Sequence, residues 1–130
     1  MARATLPNEM CALVGGTTTP LAATMLLGVK NSAASPTRFA LDGGEMLAAE
    51  LRIEESSFEV VAIAHSHPAS QAIPSVTDVV DASLYDPTNS LIHVIVSMQG
   101  FAPAVMAWRF SGDQTTRVAT YVTLSSSCSP

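Results

Sequence analysis

The hydrophobic pattern divides the chain into short apolar runs separated by polar or glycine-containing breaks. Met10 to Val14 is an apolar run stopped by Gly15-Gly16, and Leu21 to Val29 is a second, with the turn Thr17-Thr18-Thr19-Pro20 between them. This arrangement predicts a strand pair. Asn31 to Pro36 reads as a polar loop of small residues. From about Gly43 to Glu55 the period changes. Met46, Leu47, Leu51 and Ile53 interleave with Glu45, Glu50 and Glu54, as in an amphipathic helix with an acid near its positive end.

Phe58 to Ala64 is nearly continuous in apolar residues and runs into His65-Ser66-His67-Pro68. That is the pattern of a strand buried on both faces and carrying polar groups at its carboxyl end. Pro74-Ser75 opens a second helix reaching about Tyr85, halted by Asp86-Pro87. Leu91 to Met98, Ala104 to Ser111 and Thr116 to Leu124 predict three more strands, joined by turns at Gln99-Gly100 and Gly112-Asp113. Ser125 to Pro130 is a polar tail expected to fray. There is no internal repeat and no linker. The order β-β-α-β-α-β-β-β predicts an α/β fold, a single-domain mixed β-sheet flanked by helices.

Composition narrows the function classes. A chain of 130 residues suits one domain, and its 48% apolar content includes only seven aromatics (four Phe, two Tyr, one Trp), so the core should be small-aliphatic and closely packed. A net charge of -5 without any Lys/Arg cluster argues against nucleic acid as a partner. No apolar run approaches the ~20 residues that span a bilayer. The opening Met1 to Pro7 lacks the apolar stretch of a secretory signal, so a cytoplasmic location and no membrane partner are expected. Cys11 and Cys128 form no C-x-x-C pair and read as free thiols, with Cys11 a small buried hydrophobe.

The chemistry concentrates after the central strand. Residues two apart on a strand share a face, so His65 and His67 can present two imidazoles to one point while Ser66 faces away. A hydrolytic zinc site takes three protein ligands and keeps a fourth position open. Asp78 can supply the third ligand if the segment from Ser70 to Pro74 turns back over the strand end. A structural reading stands beside this one. His-x-His on a strand is often incidental, and Ser75-Val76-Thr77-Asp78 reads as a helix capping box. The two readings are compatible, since a capping pair can also face a site. His93, between Ile92 and Val94, is expected to be a hydrogen-bonded structural histidine. Ser66 lacks a nucleophile elbow, Cys11 lacks a positive neighbour, and the zinc-deaminase pattern is missing.

The joint spacing of Glu9, His65-Ser66-His67-Pro68, Ser75 and Asp78 resembles the JAMM motif of the catalytic MPN domain. Pro7-Asn8-Glu9-Met10-Cys11 resembles the family's opening, Asn31 to Asp42 (NSAASPTRFALD) a segment of its small bacterial members, and Ile92 to Ser97 their following strand. The resemblance runs from about Pro7 to Phe110. It departs at Ala12, where the family usually has glycine, and before Glu9, where the family places a strand and a full helix. The domain is accordingly expected over residues 1–124, amino-terminally short, with 125–130 as a tail.

The resemblance implies an MPN layering like that of cytidine deaminases. It implies one zinc per chain held by His65, His67 and Asp78, with Glu9 taking a proton from the zinc-bound water and Ser75 steadying the oxyanion. Only Asp86 to Ser90 separates the second helix from the next strand, which leaves little room for the insertions of ubiquitin-chain-cutting relatives. The chain is more similar to small bacterial hydrolases that release an amino acid, such as cysteine, from the Gly-Gly terminus of a ubiquitin-like sulfur-carrier protein. That carrier is the implied partner. A general isopeptidase on other ubiquitin-like conjugates and a non-catalytic MPN interaction module are the alternatives.

Overall fold

The computed structural model describes residues 8–120. Strands β1 (Cys11–Thr18) and β2 (Leu21–Val29) are followed by helix α1 (Gly43–Glu55), strand β3 (Glu59–His67) and helix α2 (Val76–Ala82), then strands β4 (Ile92–Ser97), β5 (Ala104–Ser111) and β6 (Gln114–Val118). The strands form one sheet in the order β2-β1-β3-β4-β5-β6. β3 and β4 pair in parallel, across the α2 connection, and every other pair is antiparallel. The single-domain mixed sheet flanked by helices is therefore the fold observed.

α1 has the bounds its periodicity predicts. The Asp42 carboxylate caps it by accepting the Glu45 N–H at 3.0 Å, and it buries Ala49 and Ile53. These two residues and Ala82 of α2 join Cys11, Leu13, Ile63 and Phe110 in one cluster, so both helices cover the same face of the sheet. Ile53, Ile63 and Ile95 are fully buried, and each such side chain contributes roughly 1.5–3 kcal/mol. A second cluster, rich in alanine (Ala12, Ala62, Ala64, Ala107), occupies the other face. No helix among the described residues is long and apolar enough to cross a membrane.

Several boundaries differ from the sequence expectations. β1 does not stop at Gly15-Gly16 but continues to Thr18, with register shifts on either side of Gly15. The glycines serve close approach. A Cβ at Gly15 would lie 2.9 Å from Ile53 Cγ1, and one at Gly16 would lie 1.8 Å from the Ala22 carbonyl oxygen. α2 ends at Ala82, short of Tyr85, and turn bonds such as Asp86 N–H to Ala82 O at 2.9 Å replace its last turn. The connection to β4 therefore covers 83–91 and is longer than Asp86 to Ser90. β4 and β5 are joined by 98–103, wider than the expected Gln99-Gly100 turn. β6 starts at Gln114, earlier than Thr116, because Ser111 and Gln114 pair across a two-residue turn whose positive φ (62°) Gly112 supplies. Within the described residues β6 ends at Val118. Residues 121–124, the tail 125–130 and Cys128 lie outside those described.

Candidate metal centre

β3, flanked by β1 and β4, is buried along seven of its nine positions, including side chains on both faces. Its side chains alternate as expected. Ser66 points away from the helices and its Oγ accepts the Met10 N–H at 2.7 Å. His65 points toward the helices and stacks on Phe39 with ring centroids 4.4 Å apart. Cys11 is the antiparallel partner of His65, and continuing that register two residues toward the amino terminus sets Glu9 beside His67.

α2 brings the third element. Ser75 caps the helix, its Oγ accepting the Asp78 N–H at 3.0 Å, while Asp78 Oδ2 accepts the Ser75 N–H at 2.9 Å. This capping box holds the Asp78 carboxylate against the end of β3. Asp78 Oδ2 lies 2.8 Å from His67 Nε2, and Oδ1 lies 3.3 Å from His65 Nε2. The two Nε2 atoms are 3.3 Å apart, and Glu9 Oε1 is 3.9 Å from His65 Nε2. One ligand atom from each of Glu9, His65, His67 and Asp78 falls within 4.8 Å of the others, and all four residues are buried. Ser75 is exposed at the edge of this cluster.

The bonding around the cluster tests whether a cation fits. His67 Nδ1–H donates to Gln71 O at 2.7 Å, so Nε2 is the ring nitrogen turned inward, and it offers a lone pair there when the ring is neutral. Among the described residues, both Glu9 carboxylate oxygens and Asp78 Oδ1 are buried without a hydrogen-bond partner, although Oδ1 lies close to His65 Nε2. Acceptors thus converge without enough donors, and only a proton or a cation can balance them. Imidazole nitrogens with carboxylate oxygens are the donor set that zinc takes. The residues fit a divalent metal.

Comparison with known proteins agrees with this geometry. The family model for prokaryotic homologues of the JAB domain matches residues 1–120. The chain belongs to that family. Proteins of Mycobacterium bovis and Mycobacterium tuberculosis, each called "CysO-cysteine peptidase", are 36% identical to it over 78 residues, covering 60% of this chain and 53% of theirs. The match therefore spans about half the length of those relatives. The solution structure of a Desulfitobacterium hafniense protein superposes with a TM-score of 0.77 at 28% identity, covering 90% of this chain and 80% of that one.

Electrostatics within the cluster follow from its burial. Burial pushes the Glu9 carboxyl up to about 8, helped by the Asp78 charge and opposed by His67. Burial also acts to raise Asp78, but the adjacent imidazoles of His65 and His67 and the Ser75 N–H outweigh it and hold the carboxyl below the usual range. For His67, burial disfavours the cation, yet Asp78 and the Gln71 carbonyl prevail and raise its pKa. The Cys11 thiol is pushed up to about 12, first by burial and then by Glu9 and Asp81, so it is no nucleophile.

Supporting residues escaped the sequence reading. Asn31 Nδ2 donates to Glu9 O at 3.1 Å, and the Glu9 N–H donates to Ser35 O at 2.8 Å, so the 31–42 loop grips the Glu9 backbone from both sides. Arg38 binds buried Asp81 of α2 through both its Nε and its terminal nitrogen, tying the same loop to the helix. The NSAASPTRFALD segment carries these residues and resembles the family's small bacterial members, but its sequence alone assigns no role to Asn31, Ser35 or Arg38. His93 is hydrogen-bonded as expected, to Asp86 at 3.0 Å. A groove of about 470 Å³ beside it is lined by Val79, Val80, Phe110 and others but by none of the four cluster residues.

Proposed function

We propose that this chain is a zinc-dependent peptidase of the JAMM type. Its reaction is hydrolysis of the amide bond after the Gly-Gly carboxyl terminus of a ubiquitin-like sulfur-carrier protein, releasing an amino acid such as cysteine. His65, His67 and Asp78 hold one zinc, Glu9 is the general base, and Ser75 stabilises the oxyanion. The observation that carries this reading is the convergence of four buried ligand atoms within 4.8 Å with more acceptors than donors. The substrate assignment is supported by the name of the mycobacterial relatives, "CysO-cysteine peptidase".

Bound there, zinc supplies Lewis-acid polarisation of the scissile carbonyl and a water acidic near pH ~7. Glu9 takes the proton at a carboxylate oxygen and delivers it to the departing amine. Among the described residues neither Glu9 oxygen has a hydrogen-bond partner, which leaves both available for that transfer. The Ser75 hydroxyl already accepts the Asp78 N–H, so its own proton can be donated to negative charge developing on the substrate oxygen. Asp78 serves twice, as a ligand and as the carboxylate that closes the cap.

The test begins with protein purified without added metal. Elemental analysis should find about one zinc per chain, absent in His67→Ala and retained in Glu9→Gln. On a carrier–cysteine adduct, only the unmodified chain should reduce the mass of the carrier's carboxyl terminus. Full activity in Glu9→Gln with its zinc in place would reject the base. A scaffold would bind the carrier equally in all three forms and cleave none.

A further inference from the structure

The segment between β3 and α2 is mostly exposed at Ala69, Ser70, Gln71 and Ile73. Among the described residues, no backbone–backbone hydrogen bond involves 68–74. Such a segment should open readily. Yet three successive carbonyls in it are each captured by a side chain from elsewhere. Ser97 Oγ–H donates to Ser70 O at 2.5 Å, His67 Nδ1–H to Gln71 O at 2.7 Å, and Trp108 Nε1–H to Ala72 O at 3.0 Å. Ser97 ends β4, where it is buried, and its Oγ also accepts the Gln99 N–H at 3.3 Å. Trp108 projects from β5 and packs against the main core cluster. Two rigid strands therefore hold the carbonyls on either side of the one that His67 uses.

We propose that Ser97 and Trp108 are positioning residues whose clamp on the 70–72 segment keeps Gln71 O on His67 Nδ1–H, so that Nε2 faces Asp78 and Glu9. The inference rests on the reading of His67 as a zinc ligand. The physical basis is the coupling of the two ring nitrogens. A hydrogen bond at one fixes the tautomer and ring orientation at the other and raises its basicity. Neither Ser97 nor Trp108 belongs to the four-residue cluster. Without the clamp, Gln71 O drifts, the imidazole can turn or change tautomer, and the metal loses a preformed ligand.

The experiment uses the full chain in two states. In the metal-free chain, the His67 Nδ1–H should give a slowly exchanging proton resonance. Zinc affinity is then measured by competition with a chromogenic chelator. Ser97→Ala and Trp108→Phe should each lose the protected resonance to solvent exchange and weaken zinc binding by ~10–100-fold. Ser97→Thr, which keeps the hydroxyl, should retain both.

Folded variants with an intact resonance and unchanged affinity would overturn the proposal, as would Ser97→Thr behaving like Ser97→Ala. A measurement without mutation guards against misfolding. If the Trp108 indole N–H exchanges freely in the native chain while His67 Nδ1–H stays protected, the clamp is not the cause. Native zinc affinity in His67→Ala would instead remove the underlying ligand assignment, and the resonance would still decide whether the clamp exists.

Discussion

Two buried histidine–aspartate groups lie on the helix face of the same sheet, and their bonding differs in kind. At the first, Asp86 Oδ1 accepts the Ser90 N–H at 2.8 Å and its hydroxyl at 3.2 Å, while Oδ2 accepts the Leu91 N–H at 3.2 Å and His93 Nε2–H at 3.0 Å. The His93 ring stacks on Phe110 with centroids 4.1 Å apart. Every carboxylate oxygen has its donors. At the second, Asp78 and Glu9 leave three carboxylate oxygens without hydrogen-bond partners among the described residues, while two imidazole nitrogens crowd them. Burial and proximity are common to both groups. The surplus of acceptors is what separates a site prepared for a cation from a structural cap.

The largest effect should come from the group with the surplus. Glu9→Gln is expected to lower kcat/KM on the carrier adduct by about 10²–10⁴-fold with zinc content unchanged, measured by steady-state kinetics beside elemental analysis. A smaller loss would mean that another residue moves the proton.

Removing one carboxylate from each group should give opposite results. Asp86→Ala strands two backbone N–H groups and His93, and should cost about 3–5 kcal/mol in urea denaturation while leaving zinc binding intact. Glu9→Gln should keep the zinc and leave the metal-free protein no less stable than the unmodified one, because burial pushes this carboxyl up to about 8 and the folded chain favours it uncharged. A loss of stability there equal to that in Asp86→Ala would erase the distinction.

Zinc itself should sharpen the contrast. At a free concentration of ~100 times Kd it should stabilise the chain by about 2.7 kcal/mol, read as a rise in Tm. Glu9→Gln should keep this gain, whereas His67→Ala should show none.

The smallest effect concerns pH at the group formed by Asp86 and His93. Burial lowers the His93 pKa against the opposing pull of Asp86, so the folded chain binds that proton less readily than the unfolded chain does. Stability from this source is complete above the ordinary histidine value, ~6.5, and declines as pH falls below it. His93→Gln should flatten the corresponding slope in Tm against pH. Glu9 and His67, whose pKa values are raised, add stability on acidification in the same range. The contribution of His93 is therefore read from the difference between the two proteins, and identical slopes would contradict the assignment.

Much of this architecture was legible in the chain because local rules generate it. α1 kept its predicted bounds since its apolar spacing and the Asp42 cap act within a few residues. His65 and His67 share a face because a strand has a period of two, and Ser75 with Asp78 forms a cap because the four residues are contiguous. Gly15-Gly16 misled for an equally physical reason. Glycine marks a turn and a close approach alike, and the identity of the approaching group, Ile53 or the Ala22 carbonyl, is not local. The early end of α2 follows from the turn built around Asp86, whose donors come from Ser90, Leu91 and His93.

From its order of residues alone, this protein determined its strands and helices, the two imidazoles on one strand face and the acid placed by a helix cap. These depend on backbone periods and contacts a few residues long. Only the tertiary structure decided that Glu9 reaches the same point, through a β1–β3 register that pairs Met10 with Ser66, 56 residues away. It also decided that Asn31 and Ser35 grip the Glu9 backbone and that Gln71 O selects the ring nitrogen of His67. Strand register and loop docking are settled by which faces bury together, and a surplus of buried acceptors exists only once that burial has occurred.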